Sequence, residues 1–327
     1  IQWYDVSPDN KKIAVVMQGE VFVIPAEDAV EARRISATPA REHHVVWGAD
    51  SKTLFYCSDR DGDYAIYSAD ATTGSEKRLT KSSEAEMKPL PSPDGKYLAF
   101  FRGLDKIVRF EIATGQETVW IKGGFHDYAI EEVTEFDWSS DSKWLVFSMI
   151  GPTYESDIWL ASLDGRQENV SKFAGYNYRP KFSADGKMVY FTGTFYDRTE
   201  TFKVDLNEKP FEFFESSLDS LFMGKAEKDT AKAKGDKEKK KSELTIDFNA
   251  IEKRRKRAFR LSGDNHWPVL TPDEKRFFFV ASLLGKSEIW SVVAEDESEL
   301  KQLTSSGKAK SQLEISADGK KLYFLDD

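Results

Sequence analysis

The stretch "SPDGKYLAF", residues 92–100, reads as the end of one strand, a tight turn and a second strand. Proline at the second turn position presets φ, the aspartate side chain caps the turn, and glycine accepts the positive φ that follows. The lysine stays in water while an apolar strand begins behind it. The same sentence is written six more times. It stands as "SPDNKKIAV" from Ser7, "GADSKTLFY" from Gly48, "SSDSKWLVF" from Ser139 and "SADGKMVYF" from Ser183. It returns as "TPDEKRFFF" from Thr271 and "SADGKKLYF" from Ser316. The shared aspartates, Asp9, Asp50, Asp94, Asp141, Asp185, Asp273 and Asp318, are separated by 41, 44, 47, 44, 88 and 45 residues.

Behind each turn comes a further hairpin, as in "SDRDGDYAIYSAD" (58–70) or "YESDIWLASLDG" (154–165), and often a short closing strand, "KRLT" (77–80) or "KQLT" (301–304). Four short strands in 40 to 45 residues make one blade of a β-propeller. The expected fold is therefore all-β, a β-propeller of four-stranded antiparallel blades occupying residues 1–327 as a single domain. A lone blade cannot bury both faces, so neighbours must stack around an axis, and Trp47, Trp138, Trp159, Phe182 and Trp290 suit those interfaces.

The 88-residue gap reads as one blade carrying an insertion, placed at 207–262. Its middle, "KAEKDTAKAKGDKEKKKS" (225–242), holds eight lysines, four acids and no large apolar residue, so it is expected to be mobile. The basic run "IEKRRKR" (251–257) reads as a solvated loop and the charged edge of a strand. No aromatic residues interleave it for stacking on bases, which disfavours the alternatives of a nucleic-acid or localisation signal, and binding of an acidic partner is the third reading. "ISADGKKLYFLDD" supplies two inner strands, giving about seven blades, six complete and a truncated last one. That ending, and a first residue other than Met, lead us to expect a piece of a longer chain.

Composition limits the partners. With 56 acidic and 47 basic residues the formal charge is −9, which repels a phosphate backbone, so nucleic acid is not an expected partner. No run approaches the roughly 20 apolar residues of a membrane-spanning helix, and no membrane span is expected. The opening residues lack a signal-peptide pattern, which leaves the compartment, cytoplasmic or periplasmic, open.

Catalytic chemistry is hard to find. The histidines are His43, His44, His126 and His266, no G-x-S-x-G elbow is present, and the single Cys57 lies in an apolar strand as a buried small hydrophobe. His43 and His44 are adjacent in a strand, so their side chains should point to opposite faces rather than to one metal. In "SDRDGDY" (58–64) the aspartates Asp59, Asp61 and Asp63 alternate as in a calcium loop. The twelfth residue is Asp70 rather than Glu and the flanks are strands, so a hairpin turn is expected. Neither a P-loop nor a dinucleotide fingerprint occurs. The residues thus assign no catalytic, cofactor-binding or metal site, and no cofactor.

The repeats, with "SDRDG…IY" and the terminal "RLT", resemble TolB-like and tricorn-type propeller repeats. Longer stretches narrow the resemblance to the second, seven-bladed propeller of tricorn-type serine proteases: "KKIAVVMQGEVFVIPAED" (11–28), "RRISATPAREHHVVWGADSKTLFYCSDRDGDYAIY" (33–67) and "EFDWSSDSKWLVFSMIGPTYESDIWL" (135–160). After "YNYRPKFSADGKMVYFTG" (176–193) comes the charged insertion, ending in "LTIDFNAIEKRRKR" (244–257). That segment looks like the family's "IDLDGIEDR", with Asn249–Ala250 in place of Asp–Gly and Lys253 in place of Asp. The resemblance implies a non-catalytic scaffold and size-selective gate for peptides or unfolded polypeptide. The catalytic residues would then lie outside these residues, in α/β domains that accompany a PDZ-like domain of the same chain. It also allows a homo-oligomer. The alternatives are a TolB-like protein-interaction propeller without protease domains, and a propeller enzyme with its own pocket.

Overall fold

A computed structural model describes residues 1–27, 31–125, 135–172, 175–195, 198–207, 244–261, 263–283 and 285–326. The segment 225–242 and His126 lie outside the described residues. Blades are numbered I to VII along the chain, and the strands of a blade are counted outward from the axis.

Each innermost strand runs into one copy of the turn: Trp3–Val6, Glu42–Trp47, Glu86–Pro91, Phe136–Trp138, Tyr176–Phe182, Asn265–Leu270 and Lys310–Ile315. Six of these strands head a four-stranded antiparallel meander, whereas the seventh pairs with Leu322–Asp326 alone. The blades of IV and V are joined in one sheet by a single parallel bridge, Ser156 to Tyr176. The fold is all-β and propeller-like, with the expected count of six full blades and a two-stranded last one.

The turn owes its recurrence to a closed hydrogen-bond pattern. In blade III the Ser92 hydroxyl donates to Asp94 Oδ1 (2.7 Å) and accepts from the Tyr97 amide (3.0 Å), while Asp94 Oδ1 also accepts from the Lys96 amide (3.1 Å). The same three bonds recur around Ser7, Ser139, Ser183, Thr271 and Ser316. Blade II lacks the hydroxyl, and Asp50 takes the Lys52 and Thr53 amides itself. The residue after the aspartate has positive φ in all seven copies, whether Gly95 (72°), Asn10 (59°), Ser51 (55°), Ser142 (61°) or Glu274 (60°). From that position the Ser51 and Ser142 hydroxyl oxygens accept the amides of Asp9 (3.1 Å) and Asp94 (3.0 Å) in the preceding blade.

The closing "RLT" and "QLT" also have a structural cause. Thr80 Oγ1 accepts the Ile66 amide (3.0 Å) where the outer strand ends and donates to the buried Glu86 of blade III. Ser36 does the same for Val21 (2.9 Å) and Glu42 of blade II (3.0 Å), whereas Thr304 accepts the Ile289 amide (2.9 Å) and donates to Glu288 of its own blade (2.6 Å). Glu42 and Glu86 are thus polar clasps between blades, each completed by an arginine, Arg60 at 3.2 Å and Arg102 at 2.6 Å.

Second strands are apolar on both faces because each is covered by a blade on either side. Leu98, Ala99, Phe100 and Phe101 are all fully buried. Trp47 packs among residues of blades I and II, Trp138 and Trp159 between III and IV, Phe182 between IV and V, and Trp290 between V and VI. These are the interfaces their sequence positions led us to expect. Cys57 is buried, and burial pushes its thiol up, away from reactivity. The 58–64 stretch is a hairpin in which Asp59 accepts the Arg41 amide (2.8 Å) and Asp61 pairs with Arg78 (2.8 Å).

The basic run does form a strand edge. Ile251–Arg254 is a short 3-10 turn with Ile251 buried, and Arg255–Arg257 is the fourth strand of blade V, paired with Phe202–Val204. Leu244, Ile246 and Phe248 pack on the core between blades IV and V. Arg254 pairs with Asp247 (3.1 Å), Arg255 donates to the Ser171 carbonyl (3.0 Å) and Arg257 pairs with Glu200 (2.7 Å).

Candidate functional site: the axial cavity

The seven innermost strands converge on one cavity of about 280 Å³. Five of these strands are bulged where they line it. Pairing with the second strand slips between His43 and Val46, Met87 and Leu90, Tyr178 and Lys181, His266 and Val269, and Ser311 and Glu314. At each slip one residue is left-handed: His44 (φ 52°), Lys88 (54°), Arg179 (53°), Trp267 (52°) and Gln312 (52°). Such a backbone costs roughly 1–3 kcal/mol per non-glycine residue and marks places where a side chain is re-aimed.

Two layers result. Four residues before the turn, blades I to III contribute Trp3, His44 and Lys88, blades IV and V Glu135 and Arg179, and blades VI and VII Trp267 and Gln312. Two residues before the turn, the deeper layer carries Asp5, Val46 and Leu90 from the first three blades and Lys181, Val269 and Glu314 from the last three. Asp137 holds the matching place in blade IV, beside Lys181. A mouth cavity of about 210 Å³ adjoins, lined by both His43 and His44. The bulge overturns the strict alternation expected of those two residues, and their rings lie 5.9 Å apart. Among the described residues no three His, Cys, Asp or Glu side chains converge in a metal-binding arrangement.

The deeper acids are first of all ties between blades. Asp5 Oδ2 accepts the Trp47 amide of blade II (2.6 Å), Asp137 Oδ2 the Phe182 amide of blade V (2.9 Å), and Glu314 Oε1 the Val6 amide of blade I (3.3 Å). The last of these closes the ring. The Tyr4 hydroxyl adds a bond to the Gln312 carbonyl across the same seam. Lys181 cannot accept, and there the Tyr190 hydroxyl takes the Leu270 amide (3.4 Å).

Charge is distributed unevenly around the wall. Arg179 Nε stands 3.5 Å from Glu135, with its guanidinium 3.4 Å over the Trp267 ring, and Lys181 Nζ stands 3.9 Å from Asp137. Burial alone would lower the Lys181 ammonium, but Asp137 and Glu135 prevail and hold it above its ordinary value. Although protein surrounds it, 39% of the Lys181 side chain is open to the cavity. Burial raises the Asp137 carboxyl, with Lys181 opposing. Burial also raises Asp5, against the Trp47 amide, and raises Glu314 well above the ordinary range, with the Asp5 charge adding to the effect. His266, in the inner strand of blade VI, is held below its ordinary value by burial and by Arg179.

The first signal for this site was in the sequence. Pro89, Pro180 and Pro268 occupy the same bulge position in three inner strands. Proline in a strand covered on both sides is confined to such bulges, so "KPLP", "RPKF" and "WPVL" marked the axis.

Comparison with known proteins agrees with this geometry. Residues 5–130 match the family described as the TolB beta propeller domain. A tricorn protease homolog of Saccharolobus solfataricus is 26% identical over 181 residues, 55% of this chain and 16% of the relative. A TolB homolog of Chlorobium luteolum is 28% identical over 158 residues, 47% of this chain and 34% of the relative. Among solved structures, tricorn protease superposes with a TM-score of 0.70 at 16% identity, covering 98% of this chain and 33% of that one. TolB from Acinetobacter baumannii gives 0.53 at 16% identity, over 91% of this chain and 64% of that one. The fold is a β-propeller of the TolB and tricorn type. Its sequence relationship to tricorn protease is distant, and the chain spans a third or less of the tricorn chains it matches.

Proposed function

We propose that this chain is a non-catalytic propeller of a longer tricorn-like peptidase, and that its axial cavity is a passage admitting extended polypeptide while turning folded proteins away. The observation that carries the reading is the convergence of seven inner strands, five of them bulged, on one aromatic- and charge-lined cavity. Likeness to tricorn protease over nearly the whole chain supports the assignment. Peptides or unfolded polypeptide would be the substrates, and cleavage would fall to PDZ-like and catalytic domains elsewhere in the same chain.

The test compares residues 1–327 with the full gene product on short fluorogenic peptides and on casein. An inactive propeller beside an active, size-selective full chain is the expected result. Hydrolysis by residues 1–327 alone refutes the non-catalytic assignment. The TolB-type repeats support a second reading, a protein-interaction propeller without protease domains. Inactivity of both proteins, with a partner retained on the propeller, would favour it.

A further inference from the structure

We propose that the axial cavity holds the free amino terminus of an extended peptide, with its ammonium group on the Asp5 and Glu314 carboxylates. The proposal rests on the polypeptide-passage reading and adds to it which end of the peptide goes in first.

The argument begins with charge matching. Both acids of blade IV have a cation opposite them on blade V, Glu135 with Arg179 and Asp137 with Lys181. Asp5 and Glu314 adjoin across the seam between blades VII and I, and among the described residues no ion pair reaches either one. One oxygen of each is already fixed by a neighbouring strand, through the Trp47 and Val6 amides. The two carboxyls are therefore positioned with no cation of the protein in ion-pair contact, Lys181 acting on them only from across the cavity, and each keeps an oxygen for a ligand's donor.

The surroundings favour an amine over a metal ion. Divalent cations of the calcium and magnesium type need six or more oxygen ligands, and no three-ligand cluster exists among the described residues. Trp3 and Trp267 sit in the layer above the pair, flanking Gln312. Indole faces attract alkylammonium groups and cover a flat peptide backbone without demanding a particular side chain. Lys181, across the cavity, offers N–H donors suited to the first peptide carbonyls. An ammonium with three donors matches two carboxylate oxygens, whereas an acetylated terminus brings one N–H and a bulk with no charge.

The experiment uses fluorescence anisotropy with a hexapeptide labelled at its C-terminal end. It is offered with a free amino terminus, N-acetylated, and N-acetylated with one internal lysine. The free-amine peptide should bind at least about tenfold more tightly than its acetylated form, and Glu314→Gln or Asp5→Asn should remove that advantage. Both variants keep the oxygen that accepts the neighbouring amide, and the acetylation comparison needs no variant at all. Equal binding of free and acetylated peptides overturns the amine site and leaves the passage standing. Equal binding of the free-terminus and internal-lysine peptides assigns the pair to lysine side chains instead and overturns the terminus. If neither free nor acetylated peptide binds, the passage reading falls together with the proposal.

Discussion

Replacing Asp5 with asparagine should stabilise the protein in mildly alkaline buffer and do almost nothing in acid. The Asp5 carboxyl is pushed from an ordinary 3.8 up to about 7 by burial, with the Trp47 amide pulling the other way. The folded state therefore binds a proton that the unfolded state has lost throughout that interval. Stability falls as the pH rises from about 4 to about 7 and stays low above, because the ionised carboxylate is tolerated better by the unfolded chain. At about 1.4 kcal/mol per pH unit of displacement, the ceiling is about 4 kcal/mol. The cavity is wet on one side, which screens the effect, so about 1–2 kcal/mol should be realised. Asparagine keeps the acceptor for the Trp47 amide and removes the charge that raises Glu314. The charged and titratable groups around it are Glu314, Tyr4 and Lys181. Melting temperatures of both proteins, taken between about pH 4 and 8.5, should coincide at the acid end and diverge by about 2–5 °C at the other. A loss at alkaline pH, or the same offset at every pH, would show that Asp5 acts through its hydrogen bond alone.

Three more substitutions probe the blade clasps and the turn. Arg102→Met strands Glu86, whose side chain is fully buried, and should cost about 3–5 kcal/mol in denaturant melts, with Glu86→Gln in the same chain restoring most of it. Thr80→Val removes the acceptor of the Ile66 amide and the donor to Glu86 together, for about 1–3 kcal/mol, whereas Thr80→Ser should be nearly silent. Asp94→Asn should lose about 1 kcal/mol near neutral pH. Burial opposes, but Ser92 and Lys96 hold the Asp94 carboxyl below its ordinary value, so its contribution is present above that value and fades as the pH drops further. Unfolding of Asp94→Asn and wild type should converge in strong acid.

Much of the architecture was legible because one local interaction is repeated. The turn needs only six residues to close its bonds, so seven copies announce seven blades whatever lies between them. "RLT" was legible as a strand end, though its threonine's second duty, reaching the next blade's glutamate, belongs to packing and not to local pattern. The layout of the axis was not read. The left-handed positions hold His, Lys, Arg, Trp and Gln, residue types that share no turn signal, and the neighbouring prolines were passed over. Strict alternation, applied to His43 and His44, fails where a bulge breaks the period of two.

The deeper layer of the axis separates what the ring needs from what a ligand needs. The tie made by Asp5, Asp137 and Glu314 is one way to hold the next blade's amide, and other interfaces do without a carboxylate. Between blades V and VI the Tyr190 hydroxyl takes that amide, and between III and IV the Trp138 indole donates to the Leu90 carbonyl (3.1 Å). Blades II, III and VI place Val46, Leu90 and Val269 in the same position. Closing the ring therefore does not demand an acid at 5 or at 314, least of all two that repel each other. At blades IV and V Lys181 stands in ion-pair contact with Asp137; at the seam it acts only from a distance, and burial still holds both carboxyls above their ordinary values. A carboxyl pair that costs stability at neutral pH, set under two tryptophans in an axial cavity, is the arrangement expected where the missing cation comes from the ligand.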